Sequence, residues 1–154
     1  MKAISLWQPW ATLIAENQKQ YEFRTWPVHP NIIGQRIAIH AAARRIVKYE
    51  IKELIQAIHC GENIPGLVDH EVCAEMLRHM HLYPEQVVLG KIVATAVVGE
   101  PVSPEDLIRL KILKRLDPSY RLWGWPLTEV QKLPRPIAMA GRQGFWDWDG
   151  NEAT

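Results

Sequence analysis

Residues 19–26 read KQYEFRTW, and polar and aromatic side chains largely alternate along this segment. Successive side chains of a β-strand point to opposite faces, so Glu22, Arg24 and Trp26 share one face of such a strand. The intervening side chains are aromatic, apart from one threonine, and suit a core. The first face instead presents a carboxylate, a guanidinium and an indole. The segment therefore predicts a strand over about residues 20–26 with a ligand on its polar face.

Two flanking segments extend this pattern. Upstream, residues 7–10 read WQPW, and the proline suits the first turn of a short helix over residues 10–15. Asn17 is a suitable left-handed terminator for that helix. Downstream, residues 36–42 read RIAIHAA and predict a second strand with His40 near its end. The first forty residues thus place polar side chains between aromatic ones in a way that core packing alone does not require.

The rest of the chain predicts further helices and strands. Apolar residues recur at helical spacing over residues 47–58 and 72–80, and Asp69 is a candidate cap for the second of these helices. A nearly continuous apolar run at residues 89–98 is typical of a central strand buried on both faces. The sequence SPED, beginning at Ser103, predicts the start of another helix. The tail, rich in proline and tryptophan, predicts short strands and tight turns.

These elements predict an α+β fold, and helices set between strands of a mostly antiparallel sheet favour a small mixed β-barrel decorated with helices. The chain has 154 residues and no repeat or linker, so we expect one domain over residues 1–154, with a helical insertion at about residues 45–85. No apolar run approaches the roughly 20 residues of a membrane span, and the start does not resemble a secretory leader. We therefore expect a soluble cytoplasmic protein in which Cys60 and Cys73 are free, buried thiols.

The charge distribution leaves two alternatives open. The net charge is +1, which argues against binding to duplex nucleic acid by charge alone. Residues 36–52 and residues 109–121 nevertheless each contain five lysines or arginines and one acidic residue. These segments either converge on one rim that follows phosphates or form two separate, solvated helix faces.

Several polar and aromatic side chains are candidates for a ligand site. Lys19, Glu22 and Arg24 form either a structural ion-pair cluster or a recognition triad. In a triad, the carboxylate would accept hydrogen bonds from an amino group, and the guanidinium would bind phosphate or carbonyl oxygens. Trp7 and Trp26 are the candidates for stacking on a base.

The histidines and cysteines give weaker signals. His40 is either a hydrogen-bonded structural residue or a direct ligand contact. Cys73, His79 and His81 do not match the spacing of a closed zinc site, so we expect no metal and no cofactor. No glycine-rich phosphate loop and no serine-histidine-acid order stands out.

In its motifs, the chain resembles the ASCH domain family (activating signal cointegrator homology) of the PUA-like superfamily of small β-barrels. The resemblance covers nearly the whole chain, and residues 45–85 are its least typical part. The motifs that carry it are Gln8-Pro9-Trp10, Lys19-x-x-Glu22-x-Arg24, Ile39-His40-Ala41-Ala42, Gly90-Lys91-Ile92-Val93, LPRPI at residues 133–137, and Gly141-x-x-Gly144-x-Trp146. The resemblance implies a PUA-like barrel with a cleft built from Gln8, Lys19, Glu22, Arg24 and His40.

Two positions depart from the family pattern. Asn17 stands where the family usually has glycine, and asparagine is the non-glycine residue that best adopts left-handed geometry. Glu22 stands where the branch that resembles acetylcytidine amidohydrolases has a threonine, its proposed nucleophile. Thr25 does not obviously replace that threonine, because alternation points it to the opposite face of the strand. The second departure weakens the hydrolase interpretation.

We therefore expect this cleft to bind RNA or a nucleotide-like ligand. The main alternative is a hydrolase, similar to an acetylcytidine amidohydrolase or a ribonuclease, in which Lys19 is a base or electrostatic catalyst and Glu22 an acid or base. A third interpretation makes the cleft a docking site within a protein assembly. A positioned nucleophile or a metal-activated water would favour catalysis over binding, and the sequence reveals neither.

Overall fold

The computed structural model describes residues 1–116 and 121–151 of the chain. Strands and helices follow one another in an α+β arrangement, as the sequence predicts. Within the described ranges they are β1 (Lys2–Leu6), α1 (Trp10–Ala15), β2 (Tyr21–Arg24), β3 (Arg36–Ala41), α2 (Lys48–His59), α3 (His70–Leu82), a short 3₁₀ helix (Pro84–Gln86), β4 (Lys91–Val98), α4 (Pro104–Arg109), β5 (Trp123–Ala138) and β6 (Phe145–Asp147).

One six-stranded sheet, in the order β2-β5-β4-β3-β1-β6, forms the centre of the fold. Neighbouring strands run antiparallel except for β1 and β3, which run parallel. The sheet curls into a half-barrel, and this curl brings Trp125 of β5 onto Phe145 of β6, with stacked ring centroids 5.7 Å apart. An apolar core fills the curl, and β4 is internal and buried along most of its length, as its apolar run predicts.

Local sequence signals begin and end several helices where we expect them. Asn17 adopts a positive φ of 58° just after α1. The Asp69 carboxylate accepts hydrogen bonds from the first N–H groups of α3, at 3.0 and 3.1 Å. The Ser103 hydroxyl caps α4 by accepting a hydrogen bond from the backbone N–H of Asp106 at 3.1 Å. Each cap satisfies backbone donors that a helix cannot pair internally.

The helices α2 and α3 lie between β3 and β4 along the chain and pack against each other. A second apolar cluster joins them to α1 through Leu13, Ile51 and Leu77. This packing holds α1 against α2 and α3. Of the helices in the described ranges, none combines the length and apolar character that a membrane span needs.

The structure corrects three expectations. The strand β1 was not predicted, because five residues are too few to show a period before Pro9 interrupts the pattern. Cys60 is exposed, whereas Cys73 is buried; both are free. Cys60 is exposed because it follows the last turn of α2.

The tail is the third correction, since most of it is one 16-residue strand, β5, rather than short strands and turns. Its first residues pair with β2, and its later residues pair with β4. Between Ile92 and Ala94 of β4, the paired residue on β5 jumps from Ile137 to Lys132, so Leu133–Pro136 bulge out of the ladder. Bulges tolerate proline, which is why Pro134 and Pro136 do not end the strand.

Candidate functional site

A cleft of about 630 Å³ opens beside the C-terminal end of β1. Its walls come from residues 5–7 at the end of β1, from residues 22–24 of β2, from His40 and the two alanines after β3, and from the loop 141–144 before β6. The aromatic side chains of Trp7, Trp10 and Phe23 lie among these walls. A concave site of this volume with aromatic walls and a few polar groups is typical of small-ligand sites.

The Glu22–Arg24 ion pair forms the polar part of the β2 wall. Arg24 Nε donates to Glu22 Oε1 at 2.9 Å, and the Glu22 side chain is only 13% exposed. Pairing with β5 places Glu22 opposite Trp125 and Arg24 opposite Trp123. Among the described residues, the hydrogen bonds of Arg24 involve Nε alone, so its two terminal amino groups remain available to a ligand. The alternation in residues 20–26 is correct in placing both charges on one face. It is wrong in assigning Phe23 to the core, because Phe23 is only half-buried and lines the cleft.

Lys19 lies behind this pair rather than in the cleft wall. Its Nζ donates to the backbone carbonyl of Tyr21 and lies 3.7 Å from Glu22 Oε2. The ammonium also lies 5.4 Å from the ring centroid of Trp10 and 5.1 Å from that of Phe23. Burial lowers the pKa of Lys19, and the charge of Glu22 and a hydrogen bond to it partly oppose this shift. The lysine thus supports Glu22 from within the fold.

Trp7 forms the wall between the cleft and a second groove of about 700 Å³ that runs along α2. Its indole is 58% exposed. The Arg44 guanidinium lies 4.0 Å from the centroid of the Trp7 ring, which is close enough for a cation–π contact. Glu50 holds Arg44 through two hydrogen bonds of 3.0 and 3.3 Å. The Arg44 side chain thus covers one face of the Trp7 ring.

Gln8 and Trp26, two further predicted site residues, do not line the cleft. The Gln8 side chain is buried and binds Thr12 and the backbone carbonyl of Val88, so its polar atoms hold the start of α1. Trp26 lies two residues beyond the end of β2 and is 53% exposed. Its ring centroid is 5.8 Å from the Arg24 guanidinium, at the edge of the polar face.

His40 lines the cleft but is almost fully buried. Its Nδ1 lies 3.0 Å from the Ser5 hydroxyl, and its Nε2 lies 2.7 Å from the backbone carbonyl of Met139. Its ring and that of Trp146 are nearly perpendicular, with their centroids 5.5 Å apart. Burial lowers the pKa of His40, and the hydrogen bond to Met139 opposes that shift. Both ring nitrogens therefore have partners within the protein.

The structure brings four of the seven predicted site residues together in the cleft: Trp7, Glu22, Arg24 and His40. Sequence reasoning missed Ser5 and Arg142, which also line the cleft. Ser5 lies on the unpredicted strand β1. Arg142 lies within the Gly141-x-x-Gly144 motif. That motif indicated the family, but it did not indicate that this arginine lines the cleft.

The two basic segments do not form one rim around the cleft. Arg36 binds Thr95 and the backbone carbonyl of Glu129, whereas Arg44 belongs to the Trp7 stack. In the described part of the second segment, Arg109 pairs with Asp106, and Arg121 pairs with Glu105. No residue of that described part lines the cleft. Asp117, the acidic residue of that segment, lies outside the described residues.

Metal chemistry requires a cluster of ligands that the described residues do not supply. Across residues 1–116 and 121–151, no three His, Cys, Asp or Glu side chains come together in a way that could hold a metal ion. Cys73 is buried in the apolar cluster between α1, α2 and α3.

Comparison with known proteins places the chain in a family. The model of the ASCH domain matches residues 4–131, and the chain therefore belongs to the ASCH domain family, as its motifs predict. The loop 141–144 and β6 lie beyond the matched residues. None of the curated proteins compared with the chain matches it.

Solved structures of another family member are also similar to this chain. The ASCH protein of Zymomonas mobilis is 15% identical, with a TM-score of 0.48, and the match covers 89% of this chain and 72% of that one. A serine-to-alanine mutant of that protein gives the same identity and TM-score over 90% and 73% of the two chains.

Proposed function

We propose that the cleft binds single-stranded RNA or a nucleotide-like ligand. The observation that carries this proposal is the combination of the Glu22–Arg24 pair with the exposed indole of Trp7 in one cleft. A base needs a stacking surface and a hydrogen-bonding edge, and a phosphate needs a cation. Membership of the ASCH family, whose members are proposed to bind RNA, supports the same ligand class.

Trp7 provides the stacking surface in this proposal. Arg44 covers one face of the indole and is itself held by Glu50, so the ring loses little freedom when a base stacks on the open face. Stacking of a base on an aromatic side chain contributes about 1–3 kcal/mol. Trp26, with its ring near Arg24, provides a candidate surface for a neighbouring base.

The charged groups of the cleft would bind the polar parts of the ligand and determine on which side of Trp7 it lies. The terminal amino groups of Arg24 would bind phosphate or a base carbonyl, and the Glu22 carboxylate would accept a hydrogen bond from an exocyclic amine. Arg142, on the loop across the cleft, adds a second cation. The groove beyond Trp7 is lined by three carboxylates, those of Glu50, Glu53 and Glu62, and by one cation, Arg44, which Glu50 already pairs. Its net negative charge disfavours phosphate there. A bound strand would therefore follow the Arg24 side of Trp7.

Fluorescence anisotropy of a short, labelled single-stranded RNA tests the proposal. We expect a dissociation constant in the micromolar range at low salt. If Arg24 and Arg142 each contact one phosphate, the affinity should fall about sevenfold between about 50 and 200 mM salt, from a slope of about −0.7 per phosphate on single strands. Trp7→Ala should weaken binding by about 5- to 150-fold, the equivalent of one stacked base.

Matched surface variants serve as controls for this experiment. Tyr49→Ala removes another exposed aromatic ring, and Arg109→Ala removes an exposed arginine on α4, and neither residue lines the cleft. Both variants should bind RNA as the wild type does. If Tyr49→Ala weakened binding as much as Trp7→Ala, the cleft would not be the binding site.

Separate measurements test the two alternative functions, a hydrolase and a protein-docking site. Incubation with acetylcytidine tests the hydrolase, and we expect little or no deacetylation, since Lys19 Nζ is buried and bound to the Tyr21 carbonyl. Rapid turnover that Glu22→Gln abolishes would make the hydrolase the primary function. Absence of binding to RNA and to cytidine monophosphate at low salt would remove the nucleic-acid interpretation and favour protein docking over it.

A further inference from the structure

Ser5 and His40 form a hydrogen-bonded pair on the wall of the cleft. The parallel ladder between β1 and β3 aligns these two residues, so their side chains leave the sheet side by side on one face. Ser5 Oγ lies 3.0 Å from His40 Nδ1. Ser5 is partly exposed, whereas His40 is buried, and both line the cleft.

The hydrogen bonds define the tautomer of His40. A backbone carbonyl only accepts hydrogen bonds, so His40 Nε2, 2.7 Å from the Met139 carbonyl, carries the ring proton. In the neutral imidazole, Nδ1 is then an acceptor, and the Ser5 hydroxyl donates to it. Burial lowers the pKa of His40 and so favours this neutral form at pH 7. The arrangement is that of a serine beside a positioned general base.

The surroundings hold this pair in place. The Trp146 indole N–H donates to Ser5 Oγ at 3.2 Å, which leaves one lone pair of that oxygen unused. A Cβ at position 141 would lie 2.5 Å from both Ser5 Oγ and His40 Cε1, so only glycine lets the loop 141–144 pass over the pair. Among the described residues, the backbone N–H groups of Arg142 and Gln143 in this loop donate no hydrogen bond.

We propose that Ser5 is the nucleophile of an acyl-transfer site in the cleft, with His40 as its general base and a small carboxylic ester as substrate. Ser5 Oγ forms a bond to the carbonyl carbon while its proton passes to His40 Nδ1. The bond to the leaving alcohol then breaks, and the alcohol takes that proton from Nδ1. Water then forms a bond to the acyl carbon while its proton passes to His40 Nδ1. The bond between that carbon and Ser5 Oγ breaks, Nδ1 returns the proton to Oγ, and the acid leaves. The Met139 carbonyl is a positioning group that keeps Nδ1 free for the proton.

The volume and the walls of the cleft also limit which esters can bind. Its volume of about 630 Å³ admits one small molecule, and Trp7, Trp10 and Phe23 provide aromatic contacts for a planar group. The unpaired N–H groups of Arg142 and Gln143 are the candidate donors for the oxyanion that forms on attack. An ester with an aromatic or heterocyclic alcohol therefore fits best. This activity does not require that RNA is the ligand.

A fluorophosphonate probe tests Ser5 directly, because it forms a phosphorus–oxygen bond with an activated serine and releases fluoride. Mass spectrometry of the labelled wild-type protein should locate the adduct on Ser5. Hydrolysis of 4-nitrophenyl acetate gives the parallel kinetic measurement. Since a general base typically contributes about 100- to 10,000-fold, His40→Gln should slow both labelling and hydrolysis by at least about 100-fold.

Ser103→Ala is the matched control, because Ser103 is a partly exposed serine whose hydroxyl binds only the cap of α4. It should keep the wild-type labelling rate, whereas Ser5→Ala should lose labelling and hydrolysis. The labelling rate of the wild type should also rise with pH and then reach a plateau, and the midpoint of the rise should lie below the usual histidine pKa of about 6.5. The charged groups that share the cleft with this pair are Glu22, Arg24 and Arg142.

Three outcomes would overturn the proposal. They are an unlabelled Ser5 in the wild-type protein, equal labelling of Ser5 and Ser103, and a labelling rate whose pH midpoint lies above the usual histidine pKa of about 6.5. Each is measured on the wild type, so the test stands even if His40→Gln does not fold.

Discussion

Replacing Glu22 with glutamine tests the ion-pair arrangement on which the cleft depends. The carboxylate lies 2.9 Å from Arg24 Nε and 3.7 Å from Lys19 Nζ, and the Lys19 side chain is 6% exposed. Glutamine keeps the size of the side chain but removes its charge. The ammonium of Lys19 is then buried without an anion, a state that typically costs about 3–5 kcal/mol.

The cost of that unpaired charge has an upper limit, because Lys19 can release its proton. A lysine in an unfolded chain has a pKa of about 10.4, so folding with a neutral lysine costs about 1.36 kcal/mol for each pH unit below that value. This limit is about 4.6 kcal/mol at pH 7 and about 1.9 kcal/mol at pH 9. Loss of the partly exposed Arg24 pair adds at most about 1 kcal/mol at either pH. Glu22→Gln should thus be much less destabilising at pH 9.

Urea unfolding of both proteins at the two pH values, followed by tryptophan fluorescence, measures this difference. Glu75→Gln is the control, because Glu75 pairs with Arg78 on the exposed side of α3. That variant should cost less than about 1 kcal/mol, with no change between the two pH values. Because burial already lowers the pKa of Lys19 in the wild type, the loss from Lys19 at pH 7 should stay below its limit of about 4.6 kcal/mol. An equal loss at pH 7 and pH 9 would refute the buried pairing of Lys19 with Glu22.

Two further predictions concern the wall opposite β2. Gly141→Ala would bring a Cβ within 2.5 Å of Ser5 Oγ and His40 Cε1. The resulting displacement should lower the free energy of unfolding by about 1–3 kcal/mol. A loss under about 0.5 kcal/mol in urea unfolding would contradict this geometry. Burial lowers the pKa of His40, so as the pH falls the unfolded chain binds a proton on this ring before the folded chain does. The contribution of His40 to the free energy of unfolding is therefore complete above about pH 6.5. It decreases as the pH falls toward the folded-state pKa, by up to about 1.4 kcal/mol per pH unit. NMR titration of the histidine rings should give a midpoint for His40 below 6.5, and a midpoint above that value would contradict the burial argument.

Patterns within one segment predicted the parts of the fold that depend on that segment. The alternation over residues 20–26 put Glu22 and Arg24 on one face of a strand, and the structure places them 2.9 Å apart in an ion pair. The helical spacing in the middle of the chain predicted α2 and α3, and Asp69 and Ser103 cap helices as expected. In each case the decisive interactions are local in sequence.

The side chains whose roles depend on distant segments could not be placed in this way. Lys19 is three residues from Glu22 and was expected beside it in the cleft. Its ammonium does lie near Glu22, but it is buried near the rings of Trp10 and Phe23 and does not line the cleft. Gln8 is polar and lies in the first motif, yet its side chain binds the Val88 carbonyl, 80 residues away. A sequence pattern identifies a polar residue near a site but does not show whether its polar atoms already have partners.

The Ser5–His40 pair shows most clearly how register determines what the cleft offers. Its members are 35 residues apart, and they meet because β1 pairs with β3 in one parallel register. On the other side of β1, β6 brings Trp146 beside Ala3, where the indole N–H reaches the Ser5 hydroxyl. A shift of β1 by one residue would turn Ser5 to the opposite face and put Ile4 or Leu6 next to His40. Two strands from the first third of the chain and one from its far end thus create the hydroxyl–imidazole contact, and no single segment contains the signal that would predict it.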